Sequence, residues 1–174
     1  MKNYPFLNSR YALTVCRIEP ENNIHVILEA FSRDAAFPVV MIGNWDHNDY
    51  GKELKSRCRT NGNIHLLDAV YDLDELNAIR RGCFVYLHGH SCGGTNPSLV
   101  EAMYLGLPII AFDVNFNRET TENRALYFRD AKALRQLTHS VSEAQCRAIG
   151  TVMMEIALRR YTWKRISERY ASLF

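Results

Sequence analysis

The sequence predicts an α/β protein, with a Rossmann-like, doubly wound parallel sheet of about six strands and helices on both of its faces. Short apolar segments alternate along the chain with segments whose apolar residues recur at the spacing of an amphipathic helix. The apolar segments carry hydrophobic residues on both faces, which is typical of the buried strands of a parallel sheet. Right-handed crossover connections then place the helices above and below the sheet.

Apolar segments bounded by turn residues mark the predicted strands. In chain order these strands are residues 11–17, 37–42, 64–70, 83–88 and 107–112. Ligands of such sheets bind outside the carboxyl ends of the strands, where the strand order reverses. We therefore expect the functional residues in the loops that follow these segments.

Helices are predicted between the strands. From Ile24, apolar residues recur at the i, i+3, i+4 and i+7 positions, with Asn22 or Asn23 as the helix cap. Residues 50–58 are predicted to form a second helix, and another helix lies between the fourth and fifth strands. A helix from Asp72 has Leu73, Leu76 and Ile79 facing inward and Gly82 as its C-terminal stop.

The remainder of the chain, from Asp130 onward, is predicted to be helical. Trp163, Ile166 and Tyr170 form one stripe on its final helix. Neither a linker nor a repeat nor a low-complexity segment interrupts the sequence. We therefore expect residues 1–174 to form a single domain.

Composition excludes several classes of function. The 21 Lys and Arg stand against 19 Asp and Glu, and the formal net charge of +2 is too close to balance to indicate a nucleic-acid partner. Every apolar segment is shorter than the roughly 18 residues of a membrane span, and the N-terminus has no apolar signal segment. The five cysteines include no Cys-x-x-Cys pair, so neither a disulfide framework nor a structural zinc site is predicted. We expect a soluble, cytoplasmic protein.

The loop after the fourth strand, residues 88–101 (HGHSCGGTNPSLVE), holds the strongest functional signal. Its glycines allow the backbone to approach a ligand closely or to adopt positive φ. Thr95 or Asn96 can cap a helix, and Pro97 suits the first helical position. The free N–H groups of that helix end form a ready site for an anion. His88, His90 and Cys92 also lie close together, but no fourth ligand is near, so no metal site is predicted.

Two charged residues complete the predicted site. Glu101 lies one turn inside the helix, so its carboxylate can reach back to the crevice and accept hydrogen bonds from a vicinal diol such as a ribose. The alternative is a solvated Glu101 beside a simple glycine turn. A helix-end carboxylate near solvent is expected to pack against little, so Glu101→Ala is expected to change fold stability very little. Arg17 ends the first strand and can pair with phosphate. The alternative for Arg17 is a surface ion pair with Glu19 or Glu21.

These residues carry a resemblance to the family 4 glycosyltransferases, which are retaining, nucleotide-sugar-dependent enzymes with the two-domain GT-B fold. NPSLVEAM at residues 96–103, followed by GLPIIA at residues 106–111, resembles their donor-binding signature. CRIEPENN at residues 16–23 resembles the phosphate-contacting turn of their C-terminal domain, and YTWKRI at residues 161–166 resembles their closing helix. The segment 90–103 is most similar to a bacterial subgroup described as rhamnosyltransferase-like. The resemblance extends over about residues 11–174.

The resemblance implies a hexosyl-type transferase of bacterial polysaccharide synthesis, with a nucleoside-diphosphate sugar as donor and without a metal or other cofactor. It implies Arg17 and Glu101 as catalytic residues. The donor-binding residues are then Arg17, Asn22, Gly43, Val70, His90, Gly93, Gly94, Thr95, Asn96, Ser98, Leu99 and Glu101. Two positions depart from the family pattern: Gly93 stands where the first glutamate is usual, and Asn22 stands where a lysine is usual.

The resemblance also implies a missing partner domain. GT-B enzymes bind the acceptor, here a glycan or a lipid-linked glycan, on a separate N-terminal domain, and this sequence corresponds to the C-terminal half. We expect the chain to bind nucleoside diphosphate weakly and to be inactive alone, because half of the cleft that positions the acceptor is absent.

Two alternatives from other classes remain at this stage. A non-catalytic nucleotide-sugar-binding module is compatible with the glycine at position 93. The segment GHSCG at residues 89–93 also matches the G-x-S-x-G nucleophile elbow of α/β-hydrolases, with Ser91 as nucleophile, Asp113 as acid and His139 as base. The elbow needs a helix directly after the serine, whereas the glycines and Pro97 delay this helix to about position 96.

Overall fold

The computed structural model describes residues 4–172 and contains one six-stranded sheet in which all strands are parallel. The strands are β1 (Ala12–Val15), β2 (Val39–Ile42), β3 (Ile64–Leu67), β4 (Val85–His88), β5 (Ile109–Phe112) and β6 (Leu126–Phe128). Their order is β3-β2-β1-β4-β5-β6, so the order reverses between β1 and β4. The prediction of a doubly wound, Rossmann-like sheet is confirmed.

Eight α-helices connect and follow the strands within the described residues. They are α1 (Ile24–Phe31), α2 (Asp49–Cys58), α3 (Leu73–Gly82), α4 (Pro97–Tyr104), α5 (Asn115–Thr120), α6 (Ala131–Ser140), α7 (Glu143–Arg160) and α8 (Trp163–Ala171). Short 3₁₀ turns cover Pro5–Asn8 and Pro20–Asn22. No helix among residues 4–172 combines the length and the apolar character that crossing a membrane would require.

Two apolar cores lie on opposite faces of the sheet. Neighbouring residues of one strand enter different cores, as Tyr86 and Leu87 of β4 do, because successive side chains of a strand point to opposite faces. Helices α3, α4 and α7 cover the face of Tyr86, and α1, α2 and α6 cover the face of Leu87. This double burial is the reason that the strands lack polar alternation.

The structure differs from the sequence prediction at several edges. The strands are shorter than the apolar segments, and neither β6 nor α5 was predicted. Leu73, predicted to face inward, is 69% exposed, because Asp72 caps α3 and leaves Leu73 on the outer side of the first turn. Trp163 and Tyr170 do share the final helix, but they lie exposed on α8.

Hydrogen bonds fasten the loop after β4 to the turn after β1. Asn23 Nδ2 donates to the carbonyl oxygen of Gly89 at 2.9 Å, and the main-chain N–H of Ser91 donates to the carbonyl oxygen of Glu21 at 2.8 Å. The Ser91 hydroxyl donates to the same Glu21 oxygen at 2.9 Å. Both loops therefore hold one fixed arrangement at the point where the strand order reverses, which is where ligands bind in such sheets.

Gly89 makes this contact between the loops sterically possible. A Cβ atom added to Gly89 would lie 2.2 Å from the carbonyl oxygen of Asn22 and 3.1 Å from Cδ1 of Ile27. The first of these neighbours is backbone, so relief requires one loop to move away from the other.

We therefore expect Gly89→Ala to lower the free energy of unfolding by about 1–3 kcal/mol, the usual cost of overpacking. Gly62→Ala is the matched control, because an added Cβ at Gly62 would meet nothing within 4 Å. Urea denaturation of both variants and the parent measures the difference. Equal midpoints for Gly89→Ala and Gly62→Ala would contradict the close contact of the two loops.

Candidate functional site

A cavity of about 690 Å³ opens at the carboxyl ends of β1, β2, β3 and β4. Seven of the predicted site residues line it: Arg17, Gly43, Val70, His90, Asn96, Ser98 and Glu101. The lining also includes Asn44, His47, Tyr71 and Arg80, which the sequence did not indicate. A cavity of similar volume, about 710 Å³, lies at the opposite edge of the sheet, around the residues that precede β4 and β5.

Arg17 brings an unpaired positive charge to this cavity. Its side chain is exposed, and within residues 4–172 it forms no ion pair with Glu19, Glu21 or any other carboxylate. Its main-chain carbonyl accepts a hydrogen bond from Asn22 Nδ2 at 2.7 Å, which fixes the turn that carries it. The alternative of a surface ion pair is therefore wrong, and the guanidinium is available to an anion.

The glycine loop presents unpaired N–H groups beside that charge. Asn96 caps α4, with its Oδ1 accepting from the main-chain N–H of Ser98 at 3.1 Å and from the Ser98 hydroxyl at 2.9 Å. Pro97 occupies the first helical position, as the sequence predicted. Within the described part of the chain, no main-chain N–H of residues 92–96 donates a hydrogen bond. These groups, next to the positive end of a helix, are suited to an anion.

The backbone conformation at position 93 favours glycine. Its φ is 110°, in the region that L residues rarely adopt, although an added Cβ would meet nothing within 4 Å. The space around Gly93 is therefore open, and the constraint is torsional. Thr95 and Gly94 are exposed on the same loop and do not line the cavity.

Glu101 is held by an arginine that the sequence analysis did not identify. Arg80, in the last turn of α3, donates from Nη2 to Glu101 Oε2 at 2.6 Å. The Arg80 side chain is 9% exposed and the Glu101 side chain 54% exposed. The expectation that Glu101 packs against little is therefore wrong, since its carboxylate compensates a buried cation. The sequence did contain a signal, because Arg80 lies at the i+4 position from Leu76, on the inward stripe of α3.

Two stacked imidazoles end β4 beside the cavity. The rings of His88 and His90 lie 4.3 Å apart between centroids with an interplanar angle of 5°. Burial lowers the pKa of His88 well below its ordinary value, and the neighbouring His90 lowers it further. Burial, together with the charge of Arg17, lowers the pKa of His90 to about 4. Both rings are neutral at pH 7, and His88 Nε2 and His90 Nδ1 are buried without a hydrogen-bond partner.

Asn117 of α5 supports the same loop from the other side. Its Nδ2 donates to the carbonyl oxygens of His90 and Phe112, each at 2.9 Å. The residue is fully buried, and its Oδ1 has no hydrogen-bond partner in the described structure. Asn117 therefore ties the ends of β4 and β5 together, a role that the sequence did not reveal because α5 itself was not predicted.

Five predicted donor-binding residues do not line the cavity: Gly93, Gly94 and Thr95 of the glycine loop, and Leu99 and Asn22. Leu99 is fully buried in the core between the sheet and α4, because position 99 falls on the inward stripe of that helix. Asn22 is 2% exposed, and its Nδ2 donates a hydrogen bond to the carbonyl oxygen of Arg17. The cap position of α1 belongs to Asn23, whose side chain makes no capping hydrogen bond. Leu99 therefore contributes to the apolar core, and Asn22 stabilises the turn that carries Arg17.

The hydrolase alternative is wrong, because its three residues have other partners. Ser91 donates to the Glu21 carbonyl, and His139 Nε2 lies 2.6 Å from the carbonyl oxygen of Asp34. Asp113 forms ion pairs with Arg118 and Arg129, and the hydrogen bond from Arg118 chiefly lowers the pKa of its carboxyl group.

The position of α4 leads to the same conclusion. A nucleophile elbow requires a helix that begins directly after the serine, whereas α4 begins at Pro97.

Among the residues that the structure describes, no group of three or more His, Cys, Asp and Glu side chains is arranged to hold a metal ion.

Comparison with known proteins identifies the family to which the chain is similar. The family model described as "Glycosyl transferases group 1" matches residues 2–145. No curated protein matches the sequence significantly.

Several solved structures have the same fold. HepE from Anabaena in complex with UDP-glucose has a TM-score of 0.81 and 17% identity, over 95% of this chain and 48% of that chain. Sucrose-phosphate synthase from Thermosynechococcus elongatus has a TM-score of 0.79 and 19% identity, over 96% and 45%. The C-terminal domain of a glycosyl transferase group 1 family protein from Francisella tularensis has a TM-score of 0.72 and 16% identity, over 88% and 87%. The chain thus spans about half the length of the first two structures.

Acid should destabilise the fold through His90. The unfolded chain binds a proton at position 90 near the ordinary pKa of 6.5, whereas the folded chain does so only near 4. The stability contributed by the neutral ring is complete above pH 6.5 and is lost as the pH falls toward 4. We expect His90→Asn to reduce the slope of unfolding free energy against pH in this window, as measured by urea denaturation. Identical slopes in parent and variant would contradict the buried, neutral ring.

Removal of the Arg80–Glu101 ion pair should destabilise the fold. Glu101→Ala leaves a buried guanidinium without its carboxylate, so the free energy of unfolding should fall by about 1–3 kcal/mol. Glu155→Ala is the control, because Glu155 is exposed on α7 and forms no ion pair within residues 4–172. Chemical denaturation at neutral pH measures both. An effect of Glu101→Ala no larger than that of Glu155→Ala would show that solvent replaces the pair.

Proposed function

The chain belongs to the group 1 glycosyl transferases, and from this we propose that it is the donor-binding domain of an enzyme that transfers a glycosyl group from a nucleoside-diphosphate sugar to a hydroxyl. The observation that carries the proposal is the presence of three features at the carboxyl edge of the sheet, two in the cavity and one on the glycine loop that follows β4. These are the unpaired cation of Arg17, the free N–H groups of residues 92–96, and the half-exposed carboxylate of Glu101. A diphosphate suits the first two, and a ribose diol suits the third.

The known structures of the same fold support this donor. The Anabaena HepE structures hold UDP or UDP-glucose. The central cavity of this chain lies where the strand order reverses, which is the usual position of a nucleotide in a doubly wound sheet. In the proposed complex, Arg17 and the glycine-loop amides meet the diphosphate, and Glu101 accepts hydrogen bonds from the ribose.

The proposed reaction retains the configuration at the anomeric carbon. The bond from that carbon to the phosphate oxygen breaks, and the bond to the acceptor oxygen forms on the same face. The departing phosphate takes the acceptor's proton, so no protein base is needed. Arg17 and the amides of residues 93–95 stabilise the negative charge that develops on the diphosphate, by electrostatic preorganisation. No metal or cofactor enters the proposal.

The donor sugar is the most specific part of the proposal. The resemblance of residues 90–103 to rhamnosyltransferase-like members supports a rhamnosyl donor and a role in polysaccharide synthesis. The acceptor, a glycan or a lipid-linked glycan, would bind a second domain. The absence of disulfide partners for five free cysteines supports a reducing compartment, and we propose that the enzyme acts in the cytoplasm.

Gly93 favours a second candidate function. With no carboxylate at this position, the domain can bind a nucleotide sugar without catalysing transfer. Incubation of the chain, joined to a GT-B acceptor domain, with labelled donor distinguishes the two. Release of nucleoside diphosphate that depends on an acceptor supports the transferase, and tight donor binding without release supports the binding module.

Calorimetric titration with UDP, GDP and dTDP tests the proposal directly. We expect at least one of them to bind, and Arg17→Ala to weaken that binding about 10-fold, because a charge-assisted contact with phosphate is lost. Binding of the corresponding nucleoside should be nearly unchanged. Arg33→Ala is the matched control, because Arg33 is exposed after α1, away from the cavity. If none of the three diphosphates binds, the proposed site is wrong.

A further inference from the structure

Arg80 is a cation in an apolar setting. The preceding residue of α3, Ile79, is fully buried on the side of the helix that faces the sheet. Arg80 itself is only 8% exposed. Moving a charge out of water is unfavourable unless a partner of opposite charge compensates it. Within the described residues that partner is Glu101 alone, through the contact from Nη2 to Oε2, and Nε of Arg80 is buried without a hydrogen bond.

The two oxygens of the Glu101 carboxylate differ in their hydrogen bonding. Oε2 accepts from Arg80, whereas Oε1 accepts no hydrogen bond from the residues that the structure describes. A carboxylate has about four lone-pair sites, so the contact with Arg80 leaves capacity for a ligand. Because Arg80 and Glu101 both line the cavity, the free oxygen is available to a group bound there.

We propose that Arg80 is a positioning residue that holds the Glu101 carboxylate in place to accept the ribose hydroxyls of the donor through its free oxygen. This rests on the proposed function and adds the residue that orients the ribose contact. Glu101 is a long side chain on the first turns of α4 and would otherwise sample several rotamers in water. A carboxylate held in its bound position before the ligand arrives loses less entropy on binding, which raises affinity. The Arg80 charge also offsets the repulsion between Glu101 and a nearby diphosphate.

The test separates an effect on the ribose from an effect on phosphate. The probes are UDP or GDP, whichever the unaltered chain binds more tightly, and its 2′,3′-dideoxy counterpart. Binding of dTDP alone, whose deoxyribose has no vicinal diol, would overturn the role of Arg80. The variants are Arg80→Met, which removes the charge but keeps the length, and Arg80→Lys, which keeps the charge but loses the planar fork. Arg81→Met is the matched control, because Arg81 is the next residue of α3, is exposed and lines the cavity at the opposite edge of the sheet.

We expect Arg80→Met to weaken binding of the intact diphosphate about 10-fold and to leave binding of the counterpart unchanged, since only the first uses Glu101. Arg80→Lys should show a smaller loss, and Arg81→Met none. In a Glu101→Gln background, Arg80→Met should cause no further loss, because residues that act through each other are not additive.

Two further results overturn the proposal while leaving the proposed function intact. Equal weakening of both probes by Arg80→Met would mean that Arg80 meets phosphate directly, and no weakening of either would mean that Glu101 is positioned without it. If Arg80→Met does not fold, Arg80→Lys decides between the same outcomes. If the unaltered chain binds none of the diphosphates, the proposed function fails, and the role of Arg80 fails with it.

Discussion

Two loops share the space above the centre of the sheet, and their close contact determines the geometry of the site. β1 and β4 are neighbours although they are distant in sequence, so the turn after one and the loop after the other leave the sheet side by side. The carbonyl of Asn22 lies where a side chain at Gly89 would be, and Asn23 and Ser91 bridge the same gap with hydrogen bonds. These hydrogen bonds and the close backbone approach therefore hold the turn that carries Arg17 against the start of the glycine loop.

Several of the charges at this edge are paired, and one cation is left without a carboxylate. Asp113 pairs with two arginines, Arg118 and Arg129, and Glu101 pairs with Arg80. Arg17 alone among these cations has no carboxylate in the described structure. Arg17 can therefore attract an anion, although the carboxylates of Glu19 and Glu101 line the same cavity. The two stacked histidines are neutral at pH 7 and add no positive charge to that of Arg17.

The features that were predictable from the sequence depend on neighbours along the chain. The cap at Asn96 and the helix start at Pro97 are local, and the buried strands are visible as apolar segments, so both agree with the structure. Leu99 was assigned to the donor because it lies inside the motif, whereas its helical phase buries it. The partner of Glu101 was not predictable by the same approach, since Arg80 is brought to it by the packing of α3 and α4 on one face of the sheet.

The glycine at position 93 links the loop conformation to the chemistry of the site. In the enzymes that this segment resembles, a carboxylate at this position meets the donor sugar, and a side chain here would have to adopt a backbone angle of 110° that L residues disfavour. Among the described residues, no atom lies within 4 Å of the position that a Cβ atom of residue 93 would occupy, so the space around it is open. What the loop presents instead is a series of unpaired N–H donors. In the proposed complex, the loop therefore offers main-chain donors to the diphosphate oxygens, whereas position 93 offers no side-chain acceptor to the hydroxyls of the sugar.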